Sequence, residues 1–429
     1  MTAARDAIDV TANVPSIAAA APARGAISLR MSTLLMKWDR TIAQFESPDG
    51  EPEGSVRGLV STGLLWVPFS TEIDAMTRWT AIVSVSALCV VTTGVGLRGQ
   101  GGGGNPEAQA RQRQQQELEA STPKLQITEE VLALSVPGHT IGETEGVSRN
   151  SKGHLFVYSR TGTGGSSRGG TAAELFEFDQ NLKFVKMWGP GNYAASFAHA
   201  VRVDKYDNVW MVDEGSNMIV KFDPNAIVKM VLGRKPEAID YFEKYLERGE
   251  KDTERVPPAG VGTFNRETDL AWDAQDNIFV ADGYNNSRVV KLGKDGSWIK
   301  TVGTRGAGAN QFNTVHGIAV DPQQGLVYVA DRGNFRIQVY DTDLNFKKTI
   351  TGVGAPWSVQ ATAKYIYSGD GNGKIYQLDK NTGKLLGWAQ TSLGRGQAGC
   401  LIHSLHAEGD NVLYKGSCTL WDVEKITIK

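Results

Sequence analysis

The stretch Phe312–Asp341, FNTVHGIAVDPQQGLVYVADRGNFRIQVYD, decides the fold of this chain. It predicts two short apolar strands joined by a Pro/Gly turn, followed by a third strand. Five other segments repeat the pattern at a spacing of about 40–50 residues, which is typical of propeller blades. The six copies open at GVSRNSKGHLFVYSR, HAVRVDKYDNVWMVD, TDLAWDAQDNIFVAD, HGIAVDPQQGLVYVAD, WSVQATAKYIYSGD and HSLHAEGDNVLYKGS. The sequence therefore predicts an all-β, six-bladed β-propeller over residues 125–429.

The last copy ends after its third strand. A segment at the front of the propeller, LQITEEVLALSVPG from Leu125, reads as a single strand without a hairpin partner. We expect this N-terminal strand to complete the last blade, because closing the ring removes the free strand edges.

Charge composition excludes one class of partner. Lys+Arg number 45 and Asp+Glu 47, giving a net charge of −2. Without a basic excess the chain has little to neutralise a phosphate backbone, so we expect no nucleic-acid partner. We expect a monomer that acts on a small-molecule or peptide substrate.

The region before the propeller divides into three parts. Residues 1–75 are rich in Ala, Ser and Pro, and we interpret them as a spurious N-terminal extension or a disordered segment. Residues 76–98 have an arginine followed by an apolar run, which predicts an export signal and a periplasmic or secreted protein. The alternative is a membrane anchor at residues 79–97. Residues 99–124 read as a low-complexity Gly/Gln linker.

Three of the six histidines share one repeat position, at the start of the first strand of a blade. His199, His316 and His403 fall on blades 2, 4 and 6, while Glu145, Thr268 and Trp357 take this position on blades 1, 3 and 5. First strands line the channel of a propeller, so the three imidazoles should converge on the axis. Three neutral imidazoles with one open position describe a catalytic zinc site. The alternative is that each histidine only makes a hydrogen bond at its strand start.

Three further side chains should lie in loops at the same face of the ring. Tyr284 follows the second strand of blade 3, and Arg160 and Arg332 follow the second strands of blades 1 and 4. A tyrosine near a divalent cation can act as a phenolate, and two arginines can hold a carboxylate. The alternative is that these side chains form hydrogen bonds between blades.

Two of the three cysteines, Cys400 and Cys418, are equidistant from Gly409, the turn of the last hairpin. Cross-strand partners satisfy this relation, so a disulfide is geometrically allowed, and two free thiols are equally compatible with the sequence.

These residues resemble a known family. The blades resemble NHL repeats, and DGYNNSRVVKL from Asp282, with the stretch from His316, resembles the peptidyl-α-hydroxyglycine α-amidating lyase domain of the peptidylglycine α-amidating enzymes. The resemblance covers about residues 125–429. It implies a six-bladed propeller with zinc held by three histidines, which cleaves an N-acyl-α-hydroxyglycine into an amide and glyoxylate. The matching residues are His199, His316 and His403 for zinc, Tyr284 for the catalytic tyrosine, and Arg160 and Arg332 for the active-site arginines.

The chain also departs from that family at three positions. Ser404 replaces the aspartate linked to a structural calcium, so zinc is expected and calcium stays open. Leu401 replaces a methionine, and Asn285 replaces the cysteine found in animal enzymes. Two alternatives to a zinc lyase therefore remain: a non-catalytic NHL propeller that binds a protein, peptide or glycan, and a zinc hydrolase.

Overall fold

Residues 106–161, 172–235, 260–392 and 399–429 are described by the computed structural model, and all of them belong to the unit Ser84–Lys429. The predictions for residues 1–75 and 76–98 lie outside the described residues. Within the described ranges, no helix combines the length and the apolar character that crossing a membrane requires.

Six antiparallel sheets of four strands form the blades, as the repeats predict. Blade 1 contains β2 (Glu143–Arg149), β3 (Leu155–Arg160), β4 (Ala173–Phe178) and β5 (Phe184–Trp188). Blade 2 contains β6 (Ala198–Val203), β7 (Val209–Asp213), β8 (Met218–Phe222) and β9 (Val228–Gly233). Blade 3 contains β10 (Asp269–Trp272), β11 (Ile278–Asp282), β12 (Arg288–Leu292) and β13 (Trp298–Val302).

The remaining blades repeat the same order. A short parallel pair, β14 (Thr304–Arg305) and β15 (Gln311–Phe312), precedes blade 4. Blade 4 contains β16 (Val315–Asp321), β17 (Leu326–Asp331), β18 (Arg336–Asp341) and β19 (Phe346–Ile350), with a 3₁₀ turn at Arg332–Asn334. Blade 5 contains β20 (Pro356–Ala361), β21 (Tyr365–Asp370), β22 (Lys374–Asp379) and β23 (Leu385–Gln390). Blade 6 contains β24 (Ser404–Glu408), β25 (Val412–Ser417), β26 (Asp422–Ile428) and β1 (Ile127–Val131).

Blade 6 is completed by the strand that precedes blade 1, as predicted. Strand β1 pairs antiparallel with β26, from Ile127 opposite Ile428 to Val131 opposite Glu424. The ring therefore closes with hydrogen bonds between strands from its two ends, and neither strand is left with an open edge on that side.

Burial explains why the strands of one blade differ in sequence. The second strands are continuous apolar runs: every residue of β7 and β11 is buried, because both faces pack against neighbouring blades. The fourth strands lie at the rim and expose part of their residues, as in β13. The core thus sits between the blades rather than at the centre of the ring.

A buried aspartate at the end of a second strand fixes the loops at the channel face. In blade 3, Asp282 accepts the backbone N–H of Asn265 at 2.9 Å and the Nε–H of Arg288 at 2.8 Å. In blade 4, Asp331 makes the same two kinds of bond, to Asn313 and Arg336, both at 2.7 Å. These bonds hold the loops that follow the two strands in defined positions, since a buried charge-assisted hydrogen bond is strong.

One segment differs from its prediction. The linker expected at residues 99–124 contains a helix, α1 (Pro106–Ser121), within its described part. Glutamine, glutamate, alanine and arginine favour helix, and the helix end docks on blade 5 through Glu119. The Glu119 carboxylate accepts hydrogen bonds from Tyr376 at 2.7 Å and Lys374 at 2.6 Å. A helix that is held by polar contacts needs no apolar periodicity in its sequence, so the sequence pattern did not predict α1.

The two cysteines whose pairing the sequence left open form a disulfide. Cys400 and Cys418 have their Cα atoms 5.4 Å apart, within the range of unstrained bridges. The bridge connects the loop before β24 to the loop after β25 and so braces the segment that carries His403.

Acid sensitivity is expected from His406, which is largely buried beside Arg202 and Arg149. Burial, followed by these two cations, lowers its pKa from 6.5 to about 3. As the pH falls below about 6.5, the unfolded chain gains a proton here that the folded chain does not, so the free energy of unfolding decreases. A His406→Gln variant should lose part of this decrease when urea unfolding is compared near pH 7 and near pH 5. An equal decrease in variant and wild type would contradict the prediction.

Candidate metal centre

Irregular strand pairing places the inner residues of the blades in the channel. In blades 1, 2, 4 and 5 the ladder between the first and second strands skips one residue, at Glu145, His199, His316 and Trp357. A bulge leaves one residue out of the ladder and redirects its side chain. Sequence reasoning identified this repeat position, and the structure shows the backbone irregularity that accompanies it.

The three predicted histidines meet. The ring centroid of His199 lies 4.7 Å from that of His316 and 4.6 Å from that of His403, and the centroids of His316 and His403 are 4.9 Å apart. One ring nitrogen of each lies within 4.8 Å of the others. All three side chains are buried.

Each imidazole is oriented by the next blade. Its Nδ1–H donates to the backbone carbonyl at the equivalent inner position of that neighbour. The distances are 2.5 Å from His199 to Thr268, 2.7 Å from His316 to Trp357, and 2.7 Å from His403 to Glu145. A bond to a carbonyl places the proton on Nδ1, so that in the neutral ring the lone pair lies on Nε2, the nitrogen that would bind a cation.

The chemistry of this set fits a divalent metal ion. Among the described residues, His199 Nε2 is buried and has no hydrogen-bond partner, which is costly unless a ligand satisfies it. Burial, together with neighbouring positive charge, lowers the pKa of His199 and of His316 well below 6.5. Both rings are therefore neutral near pH 7, the form that binds metals.

Tyr284 lies beside the histidines, as predicted. Its hydroxyl donates to His316 Nε2 at 3.1 Å, and its ring centroid is 5.6 Å from that of His199. The approach depends on Gly283, where a Cβ would lie 1.6 Å from the carbonyl oxygen of Val315. Burial raises the pKa of Tyr284 above 10, and the charge of Arg332 acts in the opposite direction.

Arg332 also reaches the site. Its guanidinium carbon lies 4.2 Å from the centroid of the Trp357 ring and 5.3 Å from that of Tyr284. Its Nη1 is 3.5 Å from the Tyr284 hydroxyl. Among the described residues no carboxylate forms an ion pair with Arg332, so its charge is available to a ligand.

Arg160 differs from Arg332, although the sequence predicts one role for both. Its Nη1 lies 2.9 Å from Glu145 and 3.2 Å from Glu143, and its Nη2 lies 4.0 Å from Glu214. Burial alone would lower the pKa of Arg160, but these three carboxylates raise it. The charge of Arg160 is therefore already matched within the chain.

Two site residues were missed by sequence reasoning. Glu214 Oε2 lies 3.6 Å from His199 Nε2, and its other oxygen pairs with Arg266. The Arg266 guanidinium in turn lies 4.4 Å from the ring centroid of Tyr284. Glu214 comes directly after the second strand of its blade, at the repeat position that Arg160, the last residue of β3, has in blade 1, and this position could have identified it. Arg266 has a positive φ of 63° and lies before the first strand of blade 3. Its position shows no repeat spacing that could have identified it.

Comparison with known proteins agrees with the fold and the repeat. The NHL repeat model matches residues 312–340. The probable peptidyl-alpha-hydroxyglycine alpha-amidating lyase of Caenorhabditis elegans is 24% identical over 286 residues, 59% of this chain and 76% of that protein. The peptidylglycine alpha-amidating monooxygenase of Rattus norvegicus is 26% identical over 201 residues, 45% of this chain and only 18% of that protein.

A solved structure, virginiamycin B lyase from Staphylococcus aureus, covers 71% of this chain and 100% of its own, with a TM-score of 0.48 and 11% identity. The sequence matches and the topology lead to the same statement. The chain is a six-bladed β-propeller that matches the NHL repeat at residues 312–340 and resembles the peptidyl-α-hydroxyglycine α-amidating lyases.

Proposed function

We propose that the protein is a zinc-dependent lyase that cleaves the C–N bond of an N-acyl-α-hydroxyglycine or a similar carbinolamine, releasing an amide and glyoxylate. Relatives named as amidating lyases support a lyase-type function. The observation that carries the proposal is the convergence of three oriented imidazoles beside Tyr284. His199, His316 and His403 would hold the metal, which when bound would act as a Lewis acid toward a substrate oxygen.

Tyr284 would accept the proton of the substrate hydroxyl. Burial opposes the phenolate, but Arg332 and Arg266 favour it, and a bound cation would act in the same direction. Loss of the hydroxyl proton allows the carbonyl of glyoxylate to form as the C–N bond breaks, and the amide nitrogen takes up one proton. The reaction therefore consumes no net proton, and a single group can move the proton from oxygen to nitrogen.

Arg332 would hold the substrate carboxylate. The Trp357 ring lies against its guanidinium and restricts its orientation, and no carboxylate of the described residues competes for it. Arg160 would act differently, by keeping the carboxylates of Glu145 and Glu214 in place around the histidines. Arg332 and Arg160 would therefore have different tasks, whereas the sequence predicted one role for both.

The function is tested by loading the full chain with zinc and measuring glyoxylate released from N-benzoyl-α-hydroxyglycine. We expect multiple turnovers that depend on the metal. Zinc-loaded protein that releases no glyoxylate would contradict the proposal. Benzoate in place of benzamide as the second product would indicate the hydrolase, because the α-hydroxyglycine released with benzoate also breaks down to glyoxylate and ammonia. Tight binding without any product would indicate a binding propeller.

Carboxylate recognition gives a separate prediction. An Arg332→Ala variant should lose about 10- to 100-fold in kcat/KM on the acid, because hydrogen bonds to charged groups contribute about 1.5–3 kcal/mol. It should lose much less on the neutral N-benzoyl-α-hydroxyglycinamide, which cannot use the charge. The comparison variant, Arg160→Lys, should affect both substrates alike. Equal losses on both substrates in Arg332→Ala would remove Arg332 from carboxylate recognition.

A further inference from the structure

Glu145 is a buried carboxylate that the proposed mechanism leaves without a chemical role. Its side chain has no solvent exposure, and neither carboxylate oxygen makes a hydrogen bond among the described residues. Oε1 comes within 2.9 Å of Arg160 Nη1, as an ion pair without hydrogen-bond alignment. Burying a charge with so little compensation is costly, so the second oxygen is expected to have a ligand of its own.

The second oxygen faces a metal-binding nitrogen. Glu145 Oε2 lies 2.8 Å from His403 Nε2. In the neutral form of His403, whose Nδ1–H donates to the backbone carbonyl of Glu145, Nε2 carries a lone pair, and two acceptors face each other. Two ligands at right angles on one five-coordinate zinc ion, each bound at about 2.0–2.2 Å, lie about 2.8–3.1 Å apart, which agrees with this distance.

A proton shared between Glu145 Oε2 and His403 Nε2 would provide a hydrogen bond for those two atoms only. It would leave His199 Nε2 buried and unpartnered, and it would add an imidazolium next to two other imidazoles. A metal ion satisfies all of these nitrogens and the carboxylate oxygen at once. The arrangement therefore favours a metal ion over a proton.

We infer that Glu145 is a fourth protein ligand of the metal held by the three histidines, which makes the centre a three-histidine, one-glutamate site. The inference rests on the metal site of the proposed function but not on the lyase reaction. Glu214, the other carboxylate nearby, is not equivalent, since it lies 3.6 Å from His199 Nε2 and one of its oxygens is taken by Arg266.

Two properties follow from a fourth ligand of this kind. The carboxylate reduces the net charge of the centre from two to one. It also adds a hard oxygen donor, which suits manganese and iron better than an all-imidazole set does. A fifth position remains for substrate, because catalytic zinc can expand to five ligands.

The test uses Co²⁺ titrated into the metal-free full chain and followed by visible absorption. A Glu145→Gln variant is expected to bind Co²⁺ at least about tenfold more weakly than wild type, since even outer-shell partners of metal ligands contribute 10–100-fold. Its ligand-field bands should also change in position and intensity. Glu143→Gln is the matched control, because Glu143 also pairs with Arg160, at 3.2 Å, but is partly exposed and contacts no histidine.

Unchanged Co²⁺ affinity and spectrum in Glu145→Gln would overturn the inference and leave Glu145 as a partner of Arg160. Equal effects of Glu143→Gln and Glu145→Gln would overturn it too, since Arg160 would then be the cause. Should Glu145→Gln not fold, Glu145→Asp keeps the charge and withdraws the oxygen, and a weaker Co²⁺ complex is expected. Neither measurement uses substrate, so the inference can hold even if no glyoxylate is released.

Discussion

A His316→Ala variant is expected to contain no stoichiometric zinc and to release glyoxylate no faster than protein without metal. His316 contributes one of three imidazoles whose orientation is fixed by the neighbouring blades, and its removal leaves imidazole ligands on two blades only. It also removes the hydrogen-bond partner of the Tyr284 hydroxyl. Loss of a direct ligand should weaken metal binding by more than the 10–100-fold that outer-shell residues contribute.

Elemental analysis of the purified variant measures this effect, and His139→Ala is its matched control. His139 lies outside the channel, where its Nδ1 pairs with Glu174 at 3.0 Å, so its loss should leave the metal content at the wild-type value. Retention of one equivalent of zinc by His316→Ala would place the metal elsewhere.

A Tyr284→Phe variant should keep its metal and lose most of its turnover. The change removes one oxygen from a ring that is otherwise fixed by contacts with His199, His316 and the Arg266 guanidinium. General-base catalysis contributes about 10²–10⁴-fold, and kcat should fall on that scale. Zinc content should not change, because the atoms that converge at the candidate metal site are ring nitrogens of the three histidines, and the Tyr284 hydroxyl is not part of this group.

The control for this variant is Tyr206→Phe. Tyr206 is exposed, and its hydroxyl donates to Asp276 at 2.9 Å. Both residues lie in turns at the ends of the strands away from the channel face. The activity of Tyr206→Phe should therefore match that of wild type. Turnover in Tyr284→Phe within a few-fold of wild type would exclude the tyrosine as the base. A matching loss of zinc would show that the hydroxyl supports the metal instead.

The sequence predicted those parts of the site that the blade repeat determines. The position of His199 in its blade is that of His316 and His403, so alternate-blade spacing alone brings the three rings together. Tyr284 and Arg332 were found for the same reason, since both follow a second strand that ends in a buried aspartate. Closure of the ring by β1 followed from counting strands.

The parts of the site that sequence reasoning missed depend on which side chains pair with each other rather than on the blade repeat. Nothing in the spacing distinguishes Arg332, which has no carboxylate partner in the part of the chain that the structure describes, from Arg160, which has three. The pairing of Glu214 with Arg266 joins residues from different blades, and a single sequence carries no record of that contact. Helix α1 was missed because a buried carboxylate anchors it in place of an apolar face.

Pairing of β1 with β26 also has a consequence for biosynthesis. As the chain leaves the ribosome, β1 is synthesised first and must wait for its neighbour until all the other strands have been made. Contacts this distant along the chain form late, because closing the intervening loop costs entropy before any bond compensates it. His403 lies on the blade that this pairing completes, so a chain whose synthesis has not reached blade 6 offers two of the three histidines, His199 and His316, to a metal. The three histidines can therefore come together only after blade 6 has been synthesised, and a ribosome that stalls before blade 6 leaves a chain that lacks the third histidine.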